Sequence, residues 1–235
     1  MRCTLAAIAC AVSLSTSAGA IVGDAQPAES PIIRPAVMIW SSRGGCSGAV
    51  LGQDLLLTAA HCVNAATQIR VAGPGTGWTD VKTVAQHPQF KAGERGTPDL
   101  ALLKMIKPAP ELPPTLLAAR PAAVGDRLII VGYGLAAEDD RWTFGTARMT
   151  TLTVNRLYNN MMELIDRAAI GEHRTLGGCK GDSGGPAFAV RGGAPLLVGI
   201  ITAGRCGGAT WAAPLAQYHD WIVETAQQLG SRLGP

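Results

Sequence analysis

Apolar residues in this chain come in short runs, and almost every run ends at glycine, proline or a polar cluster. Such runs stand at 36–40, 48–51, 55–60, 100–106, 128–131, 149–154, 187–190 and 196–202. Runs of this length bounded by turn formers read as strands, and many of them without helical periods point to an all-β barrel or sandwich. With 29 Gly and 15 Pro in 235 residues, a long helical bundle is excluded, because both residues break helices. One amphipathic helix closes the chain. Leu215, Tyr218, Ile222, Thr225, Ala226 and Leu229 keep helical spacing, with Pro214 before them and Gly230 after. A weaker helical pattern covers 160–169. Pro108, Pro110, Pro113, Pro114 and Pro121 exclude a central strand over 107–121, so that segment reads as an extended connector between two halves.

Charged residues make up 16% of the chain and hydrophobic ones 47%, a balance that excludes disorder. A net charge of +3 without a basic cluster offers nucleic acid no electrostatic footing. The chain starts Met1-Arg2, runs uncharged from 3 to 20 and ends that run on Ala18-Gly19-Ala20. A basic start, an apolar stretch and a small-x-small ending are the parts of a secretory signal peptide. Ser13, Ser15, Thr16 and Ser17 argue against a membrane anchor, which needs about 20 mostly apolar residues. A lipid anchor on Cys10 is the weaker alternative, because only a short apolar stretch precedes it. Cleavage after Ala20 would remove Cys3 and Cys10 and leave Cys46, Cys62, Cys179 and Cys206. An even count in an exported chain predicts two disulfides, with three connectivities open on spacing alone. No other stretch is apolar enough to span a bilayer, so the processed chain is expected to be soluble, secreted or periplasmic.

The string Gly181-Asp182-Ser183-Gly184-Gly185-Pro186 holds one hydroxyl in a tight, uncluttered backbone. Alone it is as easily a surface turn. A nucleophilic serine needs a base within hydrogen-bond reach, and the base needs an orienting carboxylate. Of the four histidines, His61 ends the apolar run 55–60 and adjoins Cys62, which a disulfide would pin. His87 before Pro88 reads as a turn residue, and His173 and His219 sit in polar stretches. Asp99 opens the apolar run that follows it, a placement that is expensive for an acid without a partner. The order His61, Asp99, Ser183 is that of the chymotrypsin group among serine hydrolases, not of subtilisins or α/β-hydrolases.

On these motifs the chain resembles the trypsin/chymotrypsin family of serine peptidases, as an exported member of the bacterial type, from Ile21 to the last helix. Thr58-Ala59-Ala60-His61-Cys62 is similar to the family's histidine motif, Asp99-Leu100-Ala101-Leu102-Leu103 to its aspartate motif and residues 181–186 to its serine motif. Ile21-Val22-Gly23 resembles the mature N-terminus, and Tyr218-His219-Asp220-Trp221-Ile222 the closing helix. The resemblance implies two perpendicular six-stranded antiparallel β-barrels with a C-terminal α-helix, the chymotrypsin-like fold. Residues 1–20 would be the signal peptide, 21–115 the first barrel, and 116–235 the second barrel with the helix. It implies the disulfides Cys46–Cys62 and Cys179–Cys206, and an oxyanion hole made of the Gly181 and Ser183 N–H groups. The new Ile21 amine would pair with Asp182. The only base upstream is Arg2, so signal cleavage itself would create the Ile21 terminus, and export and activation would be one event.

The same resemblance puts Gly177 at the floor of the specificity pocket, with Gly178, Thr202, Ala203 and Gly204 around it and Lys180 and Arg205 near its mouth. An open, uncharged pocket implies non-tryptic cleavage after an apolar or aromatic residue. Thr202 would keep a hydroxyl near Asp99, and Ala203 lacks an aromatic wall. Expected partners are protein or peptide substrates and protein inhibitors, with the chain acting as a monomer. No metal or other cofactor is expected: no acidic cluster suggests a calcium loop, Cys/His spacing offers no zinc site, and the loop 73–77 leads into no helix. The alternative is a catalytically silent, protein-binding relative. Silent members usually lose one of the three residues, and this chain has all of them. With histidine as base, activity is expected to fall below about pH 6–7.

Overall fold

The computed structural model describes residues 21–22, 26–27, 31–158, 160–170 and 175–234. The expected signal segment, with Cys3 and Cys10, and His173 lie outside the described residues. A two-residue strand, β1 (Gln26–Pro27), precedes β2 (Ala36–Ser41), β3 (Gly44–Gly52), β4 (Leu55–Thr58), β5 (Ile69–Ala72), β6 (Thr79–Gln86) and β7 (Ala101–Met105). Strands β2 to β7 close into an antiparallel barrel in the order β2-β3-β4-β7-β6-β5. A single helical turn, α1 (Ala60–Val63), follows β4.

After β8 (Leu116–Leu117) come β9 (Arg127–Gly132), β10 (Arg148–Tyr158), β11 (Met161–Ile165), β12 (Pro186–Arg191), β13 (Ala194–Gly204) and β14 (Thr210–Pro214). The second barrel runs β9-β10-β11-β14-β13-β12 and closes because β12 also pairs with β9. β8 adds to β13 in parallel, and β1 crosses over to pair with β10. The chain ends in α2 (His219–Gln228). This is the all-β, chymotrypsin-like architecture. No helix among the described residues is long and apolar enough to cross a membrane.

The unbroken apolar runs have a physical cause. Leu55, Leu56, Leu57 and Thr58 of β4 are all fully buried, one face inside the barrel and the other under neighbouring elements. A strand covered on both faces does not alternate. One apolar core fills the first barrel and continues through Val131, Phe188, Leu197 and Ile200 to Leu215, Tyr218 and Ile222 of the C-terminal segment. A second core lies in the other barrel and contains Ile21.

The expected helix over 160–169 is not formed. Residues 161–165 are strand β11, followed by a 3-10 turn at Arg167–Ala169. Met162 and Leu164 are buried while Met161, Glu163 and Ile165 are less so, which is the two-residue period of a strand paired on both sides, with β10 and β14. The connector expected to be extended over 107–121 holds β8 and also a turn in which the Leu112 N–H donates to the Ala109 carbonyl (3.0 Å).

Helix α2 buries Ile222, Thr225 and Ala226, while Leu215 and Tyr218 belong to the turn before it. Its end is held by Lys104 of β7, whose ammonium donates to the Gly230 carbonyl (3.1 Å) and the Ser231 hydroxyl (2.9 Å) and pairs with Asp54 (2.6 Å). A cation there also meets the negative end of the helix dipole.

His87 sits at the same joint, buried against the rings of Tyr218 (5.2 Å) and Trp221 (4.8 Å). Its Nδ1 accepts the Gln89 N–H at 3.2 Å, which only an unprotonated nitrogen can do. Burial holds its pKa below the ordinary 6.5. The unfolded chain therefore takes up a proton first, and stability falls as pH drops from about 6.5 toward the depressed value. In thermal melts from pH 7.5 to 5, His87→Phe is expected to shift toward greater stability relative to the parent as pH falls, a difference that leaves the other titrating groups common to both chains.

Candidate active site

The register of β4 against β7 pairs Thr58 with Ala101, so continuing the two chains outward brings residue 99 beside residues 60–61. There Asp99 Oδ1 accepts the backbone N–H of His61 (2.9 Å), and Oδ2 lies 2.6 Å from His61 Nδ1. A carboxylate can only accept, so Nδ1 carries a proton, and in the neutral ring Nε2 is the nitrogen with the lone pair. Asp99 is mostly covered, its side chain 17% exposed, while His61 is 41% exposed to approaching groups. The disulfide Cys46–Cys62 staples α1 to β3, and its Cys62 Sγ lies 3.7 Å from His61 Nε2 and 3.7 Å from the Ser183 carbonyl oxygen. The histidine and the serine loop thus flank one sulfur. Cys46, His61 and Cys62 bring donor atoms together, but the two sulfurs are bonded to each other and cannot act as thiolate ligands.

Ser183 is half-buried on a turn that only glycines permit. Gly181 has φ of 96° and Gly184 of 84°, and a Cβ at either would overlap the Phe144 ring and Gly134 or the Ser47 carbonyl and Thr58 hydroxyl. Among the described residues, neither the Gly181 N–H nor the Ser183 N–H donates to a protein acceptor. Two unspent donors flank the serine.

Asp182 lies on the same turn and is wholly buried. Its carboxylate accepts the Gly134 and Cys179 N–H groups, each at 2.8 Å, and no cation pairs with it among the described residues. Burial pushes its pKa up to about 7, against the lowering effect of the two hydrogen bonds. Ile21 is fully buried in the same barrel, and the Val22 N–H donates to the Gly177 carbonyl at 3.1 Å.

The second disulfide, Cys179–Cys206, joins the two segments expected to wall the specificity pocket. These segments approach one another closely at their glycines. A Cβ on Gly177 would overlap the Gly208 carbonyl, and one on Gly204 would come within 2.6 Å of the Gly178 carbonyl. Thr210, fully buried, accepts the Gly178 N–H at 2.8 Å and fills space between them. The Thr202 hydroxyl donates to the Trp211 carbonyl (3.3 Å) rather than reaching Asp99. It sits where the β13–β14 register shifts between Ile201 and Ala203, and such a bulge re-aims a side chain. Ala203 and Gly204 are exposed on that strand. Lys180 pairs with Glu138 (3.1 Å), and Arg205 lies over the Trp211 ring (5.7 Å).

Three residues of this neighbourhood were not marked by the sequence: Ser47, Thr210 and Phe144. The first two are small hydroxyls inside strands, and nothing local distinguishes them from core-facing threonines and serines. Phe144 lies in an irregular segment whose ring reaches Gly45 and Gly181 only through the fold. A cavity of about 670 Å³ on the second barrel, lined by Arg127, Thr151 and Asp166 among others, contains none of His61, Asp99 and Ser183.

Comparison with known proteins gives a consistent answer. The profile of the family described as Trypsin matches residues 22–222. Kallikrein-15 of Homo sapiens is 26% identical over 218 residues, spanning 79% of this chain and 83% of its own. Trypsin of Sarcophaga bullata is 26% identical over 215 residues, 78% of this chain and 80% of its own, and granzyme M of Homo sapiens is 28% identical over 162 residues, 60% and 62%. With two closed antiparallel barrels, a C-terminal helix and this match over most of its length, the chain belongs to the trypsin/chymotrypsin family of serine peptidases and is a serine endopeptidase.

Proposed function

We propose that this endopeptidase is exported and works through an acyl-enzyme on Ser183, with His61 as general base and Asp99 as its orienting acid. The observation that carries this reading is the His61–Asp99 pair, bonded at 2.6 and 2.9 Å beside a glycine-held serine turn. Ser183 Oγ attacks the scissile carbonyl while His61 Nε2 takes its proton. The carbonyl oxygen becomes an oxyanion, held by the Gly181 and Ser183 N–H groups. Collapse expels the leaving amine, which receives the proton from His61. Water then attacks by the same route, its proton passing to His61 and from there to the departing Ser183 Oγ as the acid is released. Asp99 holds the tautomer and stabilises the imidazolium between the two proton transfers. Each oxyanion donor is worth about 3–4 kcal/mol in other hydrolases.

The residue on the acyl side of the cut is uncharged and apolar in this reading, because Gly177 and Gly178 bring no charge. Contact between the pocket walls, with Thr210 between them, favours small side chains over aromatic ones. The chain acts as a monomer on protein and peptide substrates, with protein inhibitors as further partners.

Removal of residues 1–20 by the export machinery activates it. In the full chain the Ile21 nitrogen is an amide and cannot neutralise Asp182. Ile21 also carries φ of 62°, an unfavourable torsion for a β-branched residue that vanishes once residue 20 is gone. The freed ammonium pairs with Asp182 and orders the turn that carries Ser183.

A cleavage map tests the chemistry. The chain starting at Ile21 and its Ser183→Ala twin are incubated with a complex peptide mixture and the cuts read by mass spectrometry. Cuts are expected only from the parent, after small apolar residues. Loss of kcat is expected to be on the order of 10⁶-fold for Ser183→Ala and 10⁴-fold for Asp99→Asn. A folded, correctly started parent that makes no cuts would instead be a silent, protein-binding relative.

Asp182 gives a separate check on activation. In the full-length chain its raised pKa makes a stability contribution that is present below about pH 4 and lost as pH rises through about 7. Pairing with the Ile21 ammonium reverses that trend. Melting temperatures of the Ser183→Ala chain, full-length and Ile21-started, are expected to diverge in favour of the latter as pH rises from 5 to 7.5. N-terminal sequencing of the exported protein should read Ile-Val-Gly, and any other start would overturn the one-step activation.

A further inference from the structure

We infer that Ser47, on β3 of the first barrel, is a positioning residue that braces the serine turn of the second barrel and keeps its Ser183 N–H donor in working orientation. The inference rests on the proposed assignment of Ser183 and extends it across the seam between the barrels. Ser47 is fully buried, and every polar atom it has is engaged. Its N–H donates to the Ser183 carbonyl (2.8 Å), and its hydroxyl donates to the Gly181 carbonyl (2.9 Å). The same hydroxyl oxygen accepts the Tyr133 N–H (2.9 Å), and the Ser47 carbonyl accepts the Thr58 hydroxyl (2.8 Å).

The consequence follows peptide plane by peptide plane. The plane between residues 180 and 181 carries the Gly181 N–H, and it is held by the Leu135 N–H donating to the Lys180 carbonyl at 2.8 Å. The next plane, 181–182, is held at its carbonyl by the Ser47 hydroxyl. The plane 182–183 carries the Ser183 N–H, and the plane after it is held at its carbonyl by the Ser47 N–H. One residue therefore clamps the planes on both sides of the Ser183 N–H and fixes the far side of Gly181. Ser47 shares these planes with second-barrel bonds, the Asp182 N–H on the Cys179 carbonyl (3.1 Å), the Gly185 N–H on the Asp182 carbonyl (3.0 Å) and the Gly184 N–H on the Ile201 carbonyl (2.6 Å), and adds the hold from the first barrel at Gly181, whose φ of 96° is open to glycine. Backbone donors stabilise charge only when already aimed at it, so their orientation is worth rate rather than substrate affinity. Ser47 also joins this turn to Thr58, three residues before His61, so one clamp sets the relation between nucleophile and base.

The test uses the purified active protein and its Ser47→Ala and Ser47→Cys variants. A fluorophosphonate first labels the parent; absence of label on Ser183 would overturn the nucleophile assignment itself, whatever Ser47 does. With the parent labelled, Ser47→Ala is expected to lower kcat 10- to 100-fold with KM within twofold. Affinity for a peptide boronic acid, which forms a tetrahedral adduct, should fall by a similar factor, while affinity for the corresponding product peptide stays unchanged. Ser47→Cys keeps a side chain of similar size with a weaker donor and is expected to fall between parent and alanine. Parent-like kcat in Ser47→Ala overturns the inference, and so does equal weakening of boronic acid and product binding, which marks a loosened fold. If the alanine variant does not fold, parent-like kcat and boronic acid affinity in Ser47→Cys overturn it.

Discussion

The site depends on hydrogen bonds across the seam between two closed barrels. His61 and Asp99 come from the first barrel and the serine turn from the second, and neither barrel alone holds the set. What joins them is backbone: the Ser47 N–H on the Ser183 carbonyl, with the Ser47 hydroxyl on the Gly181 carbonyl beside it. Closure of each barrel removes free sheet edges, so the remaining place for two rigid units to share polar groups is where their surfaces meet. The apolar core that runs from the first barrel through Phe188 and Ile200 into α2 keeps that seam from sliding.

Close backbone approach then decides the residue types around the serine. Gly181 and Gly184 take left-handed torsions, and Gly185, Gly132 and Gly134 leave no space for a Cβ next to the turn or the Asp182 side chain. The density of glycine here is a packing requirement. Its product is a turn with a half-buried hydroxyl and two N–H groups that donate to no protein acceptor among the described residues.

Asp182 adds an electrostatic constraint of the opposite kind. A carboxyl group with no exposure and, among the described residues, two N–H partners is poorly solvated as an anion, and burial raises its pKa to about 7. Such a group favours whatever brings a positive charge to it. In the proposed activation that charge is the Ile21 ammonium, arriving from a segment already buried in the same core. In that proposal, processing at the 20–21 bond acts on a turn far along the sequence, at residues 181–184.

Much of this was legible in residue order. Short apolar runs ended by Gly and Pro marked most strands, and five motifs in order marked the family and the candidate residues His61, Asp99 and Ser183. Strands β5, β6 and β14 were not legible, because they are short or half-exposed and lack an unbroken apolar run. Strand β11 imitated a helix, since Met162 and Leu164 are too few to separate a period of two from one of 3.6. The pocket residues could be pointed to but their contacts could not: Thr202 turned to Trp211 at a register shift, and Thr210 took the Gly178 N–H. Sequence by itself determined the fold class and the identity of the chemical groups, because periodicity and motif spacing are local properties of the chain. Tertiary structure alone decided which peptide planes Ser47 holds and how near the pocket walls come, because both depend on contacts between segments far apart in sequence.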